Sequence, residues 1–172
     1  MFDAQLVCFE PSCRARYAIT EVLYNCPKCG GLLEAMYEPK SGQPGHDAST
    51  LKTVFRQRRM DNSPLNQSGV WRYRELMPFL DDYRHVITLR EGNTPILEAC
   101  RAAQYAGMDM LAFKHQGFNP TGSFKDNGMT CGAAQARRLG MKRVACVSTG
   151  NTSASMAAYA SAGGLQPVIF IP

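Results

Sequence analysis

One lysine, one hydroxyl-rich loop and one set of cysteines carry the chemistry of this chain. Lys125 stands in Gly117-Phe118-Asn119-Pro120-Thr121-Gly122-Ser123-Phe124-Lys125-Asp126-Asn127-Gly128-Met129, a turn-rich stretch that runs into a helix. Asn119-Pro120 and Thr121-Gly122 are turn chemistry. Ser123 and Asp126, three apart, read as a capping box, which puts Lys125 in the first helical turn. A cation beside the positive end of a helix is electrostatically misplaced. Such a lysine is odd as a surface residue and sensible as an amine nucleophile for a carbonyl. Spacing alone also allows a solvated lysine at a helix start.

The second group is Ser148-Thr149-Gly150-Asn151-Thr152-Ser153. Its backbone N–H groups and its hydroxyls suit an anion such as a carboxylate or phosphate. Asn151 offers both a donor and an acceptor. The plainer alternative is a turn that merely caps a helix. The third group is Cys8, Cys13, Cys26 and Cys29. Cys26-Pro27-Lys28-Cys29-Gly30-Gly31 is a knuckle in which two thiolates reach one ion while glycine lets the backbone turn beneath it. Four cysteines leave no open position for water, so a zinc ion here is structural. The alternative is four reduced thiols without metal.

These groups must be positioned by a chain of 172 residues with a 45% hydrophobic fraction, enough for one ordinary domain and a small module. The net charge of +5 is mild. Arg56, Arg58, Arg59, Arg72 and Arg74 read as a solvated face, with nucleic acid a minority reading. No run of about 18 apolar residues spans a membrane. The N-terminus lacks a signal pattern, which leaves a cytoplasmic address by default. Seven cysteines, an odd number, argue for metal or free thiols over disulfides.

Residues 1 to about 38 read as a zinc-ribbon-like module, with a short hairpin from Tyr17-Ala18-Ile19 and Val22-Leu23-Tyr24 and a further strand over 32–37. So small a module needs a metal staple. Pro39-Lys40-Ser41-Gly42-Gln43-Pro44-Gly45 is a linker by composition. Asp47 or Ser49 caps a helix over about 50–60, and Ser63-Pro64 breaks it. Residues 39–87 together form a linker and an extension in which Trp71 and Phe79 are docking residues.

From 88 on the pattern changes. Leu89-Arg90-Glu91-Gly92-Asn93-Thr94-Pro95 is a polar loop, 98–106 a short helix and 110–114 a strand. The helix after Lys125 carries Gly128, Gly132, Ala136 and Gly140 four apart, a smooth stripe for close packing on a sheet, and stops at Gly140. A strand at 143–147, a helix at 154–162 and a buried strand at 167–171 follow. Strand, loop, helix, repeated, spells parallel α/β with right-handed crossovers. Both chemical loops then leave carboxyl ends of strands, the edge where open parallel sheets bind ligands. An apolar strand as the last residues reads as the end of a fragment.

The stretches 119–126 and 148–152 resemble the lysine loop and asparagine loop of the fold-type II pyridoxal-phosphate enzymes. Glu91-Gly92-Asn93-Thr94-Pro95 and Gly122-Ser123-Phe124-Lys125-Asp126 most resemble those of threonine synthases. The resemblance covers about 70–172. It implies the tryptophan-synthase-β-like class, a parallel three-layer α/β sheet, here incomplete and preceded by the cysteine ribbon. Residues 88–172 would be the first part of that domain. It implies pyridoxal 5'-phosphate as cofactor, held as an imine on Lys125, which once freed shuttles a proton. Phe124 would pack by the cofactor ring and Asn151 would hydrogen-bond its 3-oxygen. Ser148, Thr149 and Thr152 would grip the substrate carboxylate, with Thr94 nearby. The implied reaction turns O-phospho-L-homoserine and water into L-threonine and phosphate. The expected partner is a small-molecule substrate, and a homodimer is one option for assembly.

Asn127 departs from the family, which often has a basic residue there. The glycine-rich phosphate cradle and the partner of the pyridine nitrogen come from a later part of such enzymes, so the chain alone is expected to be inactive or nearly so. Cysteate synthase and threonine dehydratase share the loops and stay open as alternatives. So does a non-catalytic zinc-ribbon interaction protein.

Overall fold

In a computed structural model, residues 2–39 and 47–171 are described. The linker expected at 39–45 lies almost wholly outside them. The chain divides into two compact units, one formed by Met1–Gln57 with Tyr73–Asp81 and the other by Arg58–Arg72 with Asp82–Pro172. No helix among the described residues is long and apolar enough to cross a membrane.

The first unit is built on a strand that the sequence pattern did not reveal, β1 (Phe2–Cys8). It pairs antiparallel on one side with β2 (Arg16–Ala18) and on the other with β3 (Leu33–Pro39). The expected hairpin between 17–19 and 22–24 is therefore not formed. Residues 16–18 find their partner in Gln5–Val7. Val22 and Tyr24 are 51% and 87% exposed, with no apolar face to bury against. At one end of the sheet, where Cys8 pairs with Leu33, the chain turns around two cysteine pairs. After β1, Cys13 and Arg14 donate their N–H groups to the Glu10 carbonyl. Before β3, Cys26 N–H donates to the Gly31 carbonyl and Gly30 N–H returns to that of Cys26. α1 (Ala48–Arg58) follows the undescribed segment. Asp47 caps it as expected, its carboxylate accepting from Ser49 N–H at 2.9 Å and Thr50 N–H at 3.0 Å.

The second unit holds α2 (Pro64–Gln67), β4 (Ile96–Glu98), α3 (Cys100–Ala106), β5 (Ala112–Lys114), α4 (Lys125–Arg138), β6 (Arg143–Val147), α5 (Asn151–Ala162) and β7 (Gln166–Phe170). The α/β class holds. The expected run of three parallel strands does not appear among the described residues. β6 and β7 pair parallel, with α5 as their crossover. β5 instead pairs antiparallel with β4, a short strand where only loop had been expected. Three-residue strands close a local ladder through a short connection more readily than a distant one. The helix expected at 98–106 accordingly starts at Cys100.

The α5 helix packs against α4. Their shared interior is made of small side chains around one large ring: Ala133, Ala136, Tyr159, Ala160, Leu165 and Ile87. Gly140 (φ +68°) stops α4 as expected, with Met141 N–H reaching back to the Ala136 carbonyl. The glycine stripe behaves otherwise. A Cβ placed on Gly128 or Gly132 would meet nothing within 4 Å, so that face is open. The last strand also differs, since Phe170 and Ile171 are 57% and 74% exposed. With one partner strand and one crossover helix, β7 has little to hide it. Among the arginines, Arg72 is buried, not solvated; its Nε donates to the Asn66 carbonyl at 3.0 Å.

Candidate functional site

Lys125 opens α4. Its N–H donates to Ser123 Oγ at 3.2 Å. Its amine has no hydrogen-bond or ion-pair partner among the described residues, and lies 4.7 Å from the centroid of the Phe124 ring. That ring is 57% exposed. The capping box does not form. Asp126 sits in the first turn of α4, fully buried, and its carboxylate turns away from Ser123. It accepts from Thr121 N–H at 2.7 Å and Thr121 Oγ1 at 2.5 Å, and from Ser155 Oγ of α5 at 2.5 Å. A buried carboxylate needs such donors, and the helix start alone could not supply them.

The helix α5 begins three residues earlier than expected, so Asn151, Thr152 and Ser153 form its first turn. Gly150 caps it without a side-chain bond. Asn151 and Thr149 are exposed, and Ser148 and Thr152 are half-buried. Ser148 Oγ accepts from Gly150 N–H at 3.2 Å, and Ser153 Oγ donates to the Ser148 carbonyl at 2.6 Å. The loop is thus fixed from beneath while its amide edge stays open to an anion.

Thr94 is buried, its Oγ1 accepting from Gln116 Nε2 at 3.4 Å and its carbonyl accepting from Lys114 Nζ. Its loop is held by Glu91, which is wholly buried without a cationic partner among the described residues. The Glu91 carboxylate accepts from Ser68 Oγ, Thr88 Oγ1, Leu89 N–H and Tyr159 OH, the last at 2.7 Å. Beside it the backbone at Gly69 crosses that at Gly92. A Cβ on Gly69 would stand 2.6 Å from Asn93 N, which only glycine avoids. Gly92 N–H donates to Asn119 Oδ1 at 2.8 Å, joining this loop to the lysine loop. Burial, reinforced by the bond to Glu91, pushes the Tyr159 phenol above its ordinary range. Burial also pushes the Cys131 thiol up to about 11, with the Glu91 charge adding to it. Trp71 docks as expected, fully buried. Its Nε1–H donates to Thr130 Oγ1 at 2.7 Å, and Thr130 donates in turn to the Ile87 carbonyl at 2.6 Å.

The structure thus brings the two loops and the Glu91 loop onto one pair of helices. No hydrogen bond joins Lys125 to Asn151 or Thr94 among the described residues. Sequence reasoning missed Glu91, Ser155 and Tyr159, and took Asp126 for a cap. A signal was present in α5, where Ser155 and Tyr159 follow Asn151 at intervals of four in an otherwise small-residue helix, marking one polar face.

In the first unit the four sulfurs of Cys8, Cys13, Cys26 and Cys29 all lie within 4.8 Å of one another. Cys8 to Cys29 is 3.4 Å and Cys13 to Cys26 is 3.9 Å. Four thiolates at about 2.3 Å from a tetrahedral zinc stand about 3.8 Å apart, so the donor set fits that ion. Tyr17 OH lies 3.2 Å from Cys26 Sγ, and this bond lowers the Cys26 thiol to about 6. Burial raises Cys8 to about 12.

An amine without a hydrogen-bond or ion-pair partner opening one helix, beside an exposed ring, together with a second helix start that no side chain caps, fits a carbonyl cofactor with an anionic group. Residues 87–172 match the family described as pyridoxal-phosphate dependent enzyme, and the chain belongs to it. The curated relatives sharpen this. The chain is 42% identical over 167 residues to the threonine synthase of Methanosarcina acetivorans, covering 97% of this chain and 36% of the relative. To that of Methanocaldococcus jannaschii it is 38% identical over 160 residues, 93% of this chain and 36% of the relative. To that of Synechocystis it is 46% identical over 115 residues, 63% of this chain and 30% of the relative. A match over 97% of the chain runs through the cysteine module. The chain spans about a third of the length of these relatives.

Proposed function

We propose that the chain forms the lysine-bearing part of a threonine synthase, which converts O-phospho-L-homoserine and water to L-threonine and phosphate. The observation that carries this is Lys125, an amine with no hydrogen-bond or ion-pair partner among the described residues, resting against the exposed Phe124 ring. The residue after it is bonded into the helix that begins with Asn151. Similarity to threonine synthases over nearly the whole chain supports the choice of substrate.

When bound, pyridoxal phosphate supplies the electron sink that makes proton removals from the substrate feasible. The chain's own residues hold and steer. Lys125 Nζ would anchor the cofactor and would take and return a proton of the substrate. The exposed Phe124 ring would pack by the cofactor ring, and the Asn151 amide would donate to the ring oxygen. The hydroxyls of Ser148, Thr149 and Thr152, with the open first-turn amides of α5, grip the substrate carboxylate. Thr94 lies near the substrate. Phosphate leaves from the γ-carbon and water adds at the β-carbon. Cys8, Cys13, Cys26 and Cys29 hold a structural zinc, closed to substrate. The parallel β6–α5–β7 unit supports a place in a three-layer sheet, with the domain beginning near 88 after a cysteine module over 1–38 and an extension over 39–87. A cytoplasmic setting suits seven cysteines of which none is in a disulfide.

The test is phosphate release and threonine formation from O-phospho-L-homoserine by the natural full-length protein supplied with pyridoxal phosphate. Stoichiometric release of the two is expected. Absence of both, in a folded protein that deaminates threonine instead, would replace this reading with a dehydratase.

A further inference from the structure

The Asp126 carboxylate is spent on none of the tasks its position suggests. It does not cap α4, whose start is bonded by Ser123 Oγ through Lys125 N–H. It pairs with no cation among the described residues. Fully buried, it ties three pieces together: the turn at Thr121 through two bonds, its own helix, and α5 through Ser155 Oγ at 2.5 Å. Lys125 precedes it by one residue. Asn151 precedes Ser155 by one helical turn, so the two lie on the same face of α5. From this we infer that Asp126 is a positioning residue. Its bond to Ser155 registers the start of α4, with Lys125, against the start of α5, with Asn151.

The inference rests on the proposed cofactor role of Lys125, which sets what the register is for. Three neutral donors on one buried carboxylate give a short, charge-assisted set of bonds, roughly twice as strong as neutral ones. Side chains held this way do not wander, whereas the Lys125 amine and the exposed Phe124 ring have little else to fix them. Reaction at an amine depends steeply on where the partner's contacts stand, so a slip of the two helix starts should be felt first in how fast Lys125 captures a carbonyl.

The full chain is incubated with limiting pyridoxal phosphate, quenched with borohydride and digested. The reduced adduct on Lys125 is divided by that on Lys142, an exposed lysine of the same unit. The near-ultraviolet signal of the buried Trp71 reports the fold. Asp126→Asn should lower the ratio roughly tenfold and Ser155→Ala a few-fold, with the Trp71 signal retained. Ser155→Thr, which keeps the hydroxyl, should stand above Ser155→Ala. A wild-type ratio in Ser155→Ala, or Ser155→Thr no better than Ser155→Ala, overturns the assignment. So does loss of the Trp71 signal in Ser155→Ala, since the bond would then serve folding alone. If the wild type itself shows no preference for Lys125, the cofactor reading falls and takes this one with it. A wild-type preference that both variants keep removes only the register.

Discussion

The two units of this chain solve opposite problems with polar side chains. In the cysteine unit the reactive groups are themselves the interior. Over residues 2–38 of that unit Cys8 and Cys26 are buried together with Val7, while Phe9, Val22, Tyr24, Leu32 and Tyr37 are exposed; the other buried apolar residues of the unit, Leu51 and Leu80, lie outside this stretch. So little apolar burial cannot close a fold of this size, and the sulfur cluster must do so. In the lysine unit the reactive groups stand at helix starts, half-buried or exposed, and the interior beneath them is a set of bonded polar groups: Glu91, Asp126, Thr130, Ser155 and Tyr159. Removing a thiol should therefore destroy a fold locally. Removing Lys125 should destroy chemistry and leave the fold intact.

The sharpest way to separate the two is Lys125→Ala. It should reduce turnover by roughly three orders of magnitude or more and leave the melting curve and metal content unchanged. Next in size, Cys26→Ser or a strong chelator should remove bound zinc and erase amide-exchange protection over 2–38, while the Trp71 signal of the other unit persists. If protection over 2–38 survives metal removal instead, the cysteine cluster does not hold that fold. Within the lysine unit, Glu91→Ala strands the buried Ser68 and Tyr159 hydroxyls and should cost about 3 kcal/mol by denaturant melts.

The smallest effect is expected from Tyr159→Phe, about 1 kcal/mol at neutral pH. Its pH dependence is the more telling readout. The folded-state pKa of Tyr159 is raised above its ordinary value of 10.0. The stability it contributes is therefore complete below about pH 10 and is lost as pH rises from there towards the folded value. Wild type should lose stability across about pH 9.5 to 11, and Tyr159→Phe should show a shallower loss over that range. Equal slopes would show that the phenol is not held protonated by its surroundings.

Much of this contrast was legible in the chain itself, because its signals are local. The C-x-x-C knuckle and the cysteines before it converge as their spacing implies. The turn residues at 119–122 and the run after Lys125 place that lysine at a helix start. Gly140 stops α4, and the β6–α5–β7 order follows from strand and helix periods. What could not be read is what distance in the chain conceals. β1 looked like an unremarkable N-terminus, yet two strands depend on it. Glu91 and Asp126 look like surface acids in polar loops. Only burial by residues up to 68 positions away, as between Glu91 and Tyr159, turns them into fixed interior acceptors. The capping-box spacing at 123–126 was genuine as a pattern, but Ser155 and Thr121 offered Asp126 stronger partners than its own helix start.

Lys125 as the cofactor-bearing amine is tested most directly by peptide mass mapping of the wild-type protein after reduction with borohydride in the presence of stoichiometric pyridoxal phosphate. A dominant adduct on the peptide containing Lys125, absent from the Lys125→Ala protein, is predicted. A folded protein whose label is spread over the exposed lysines, with Lys125 not preferred, would contradict it.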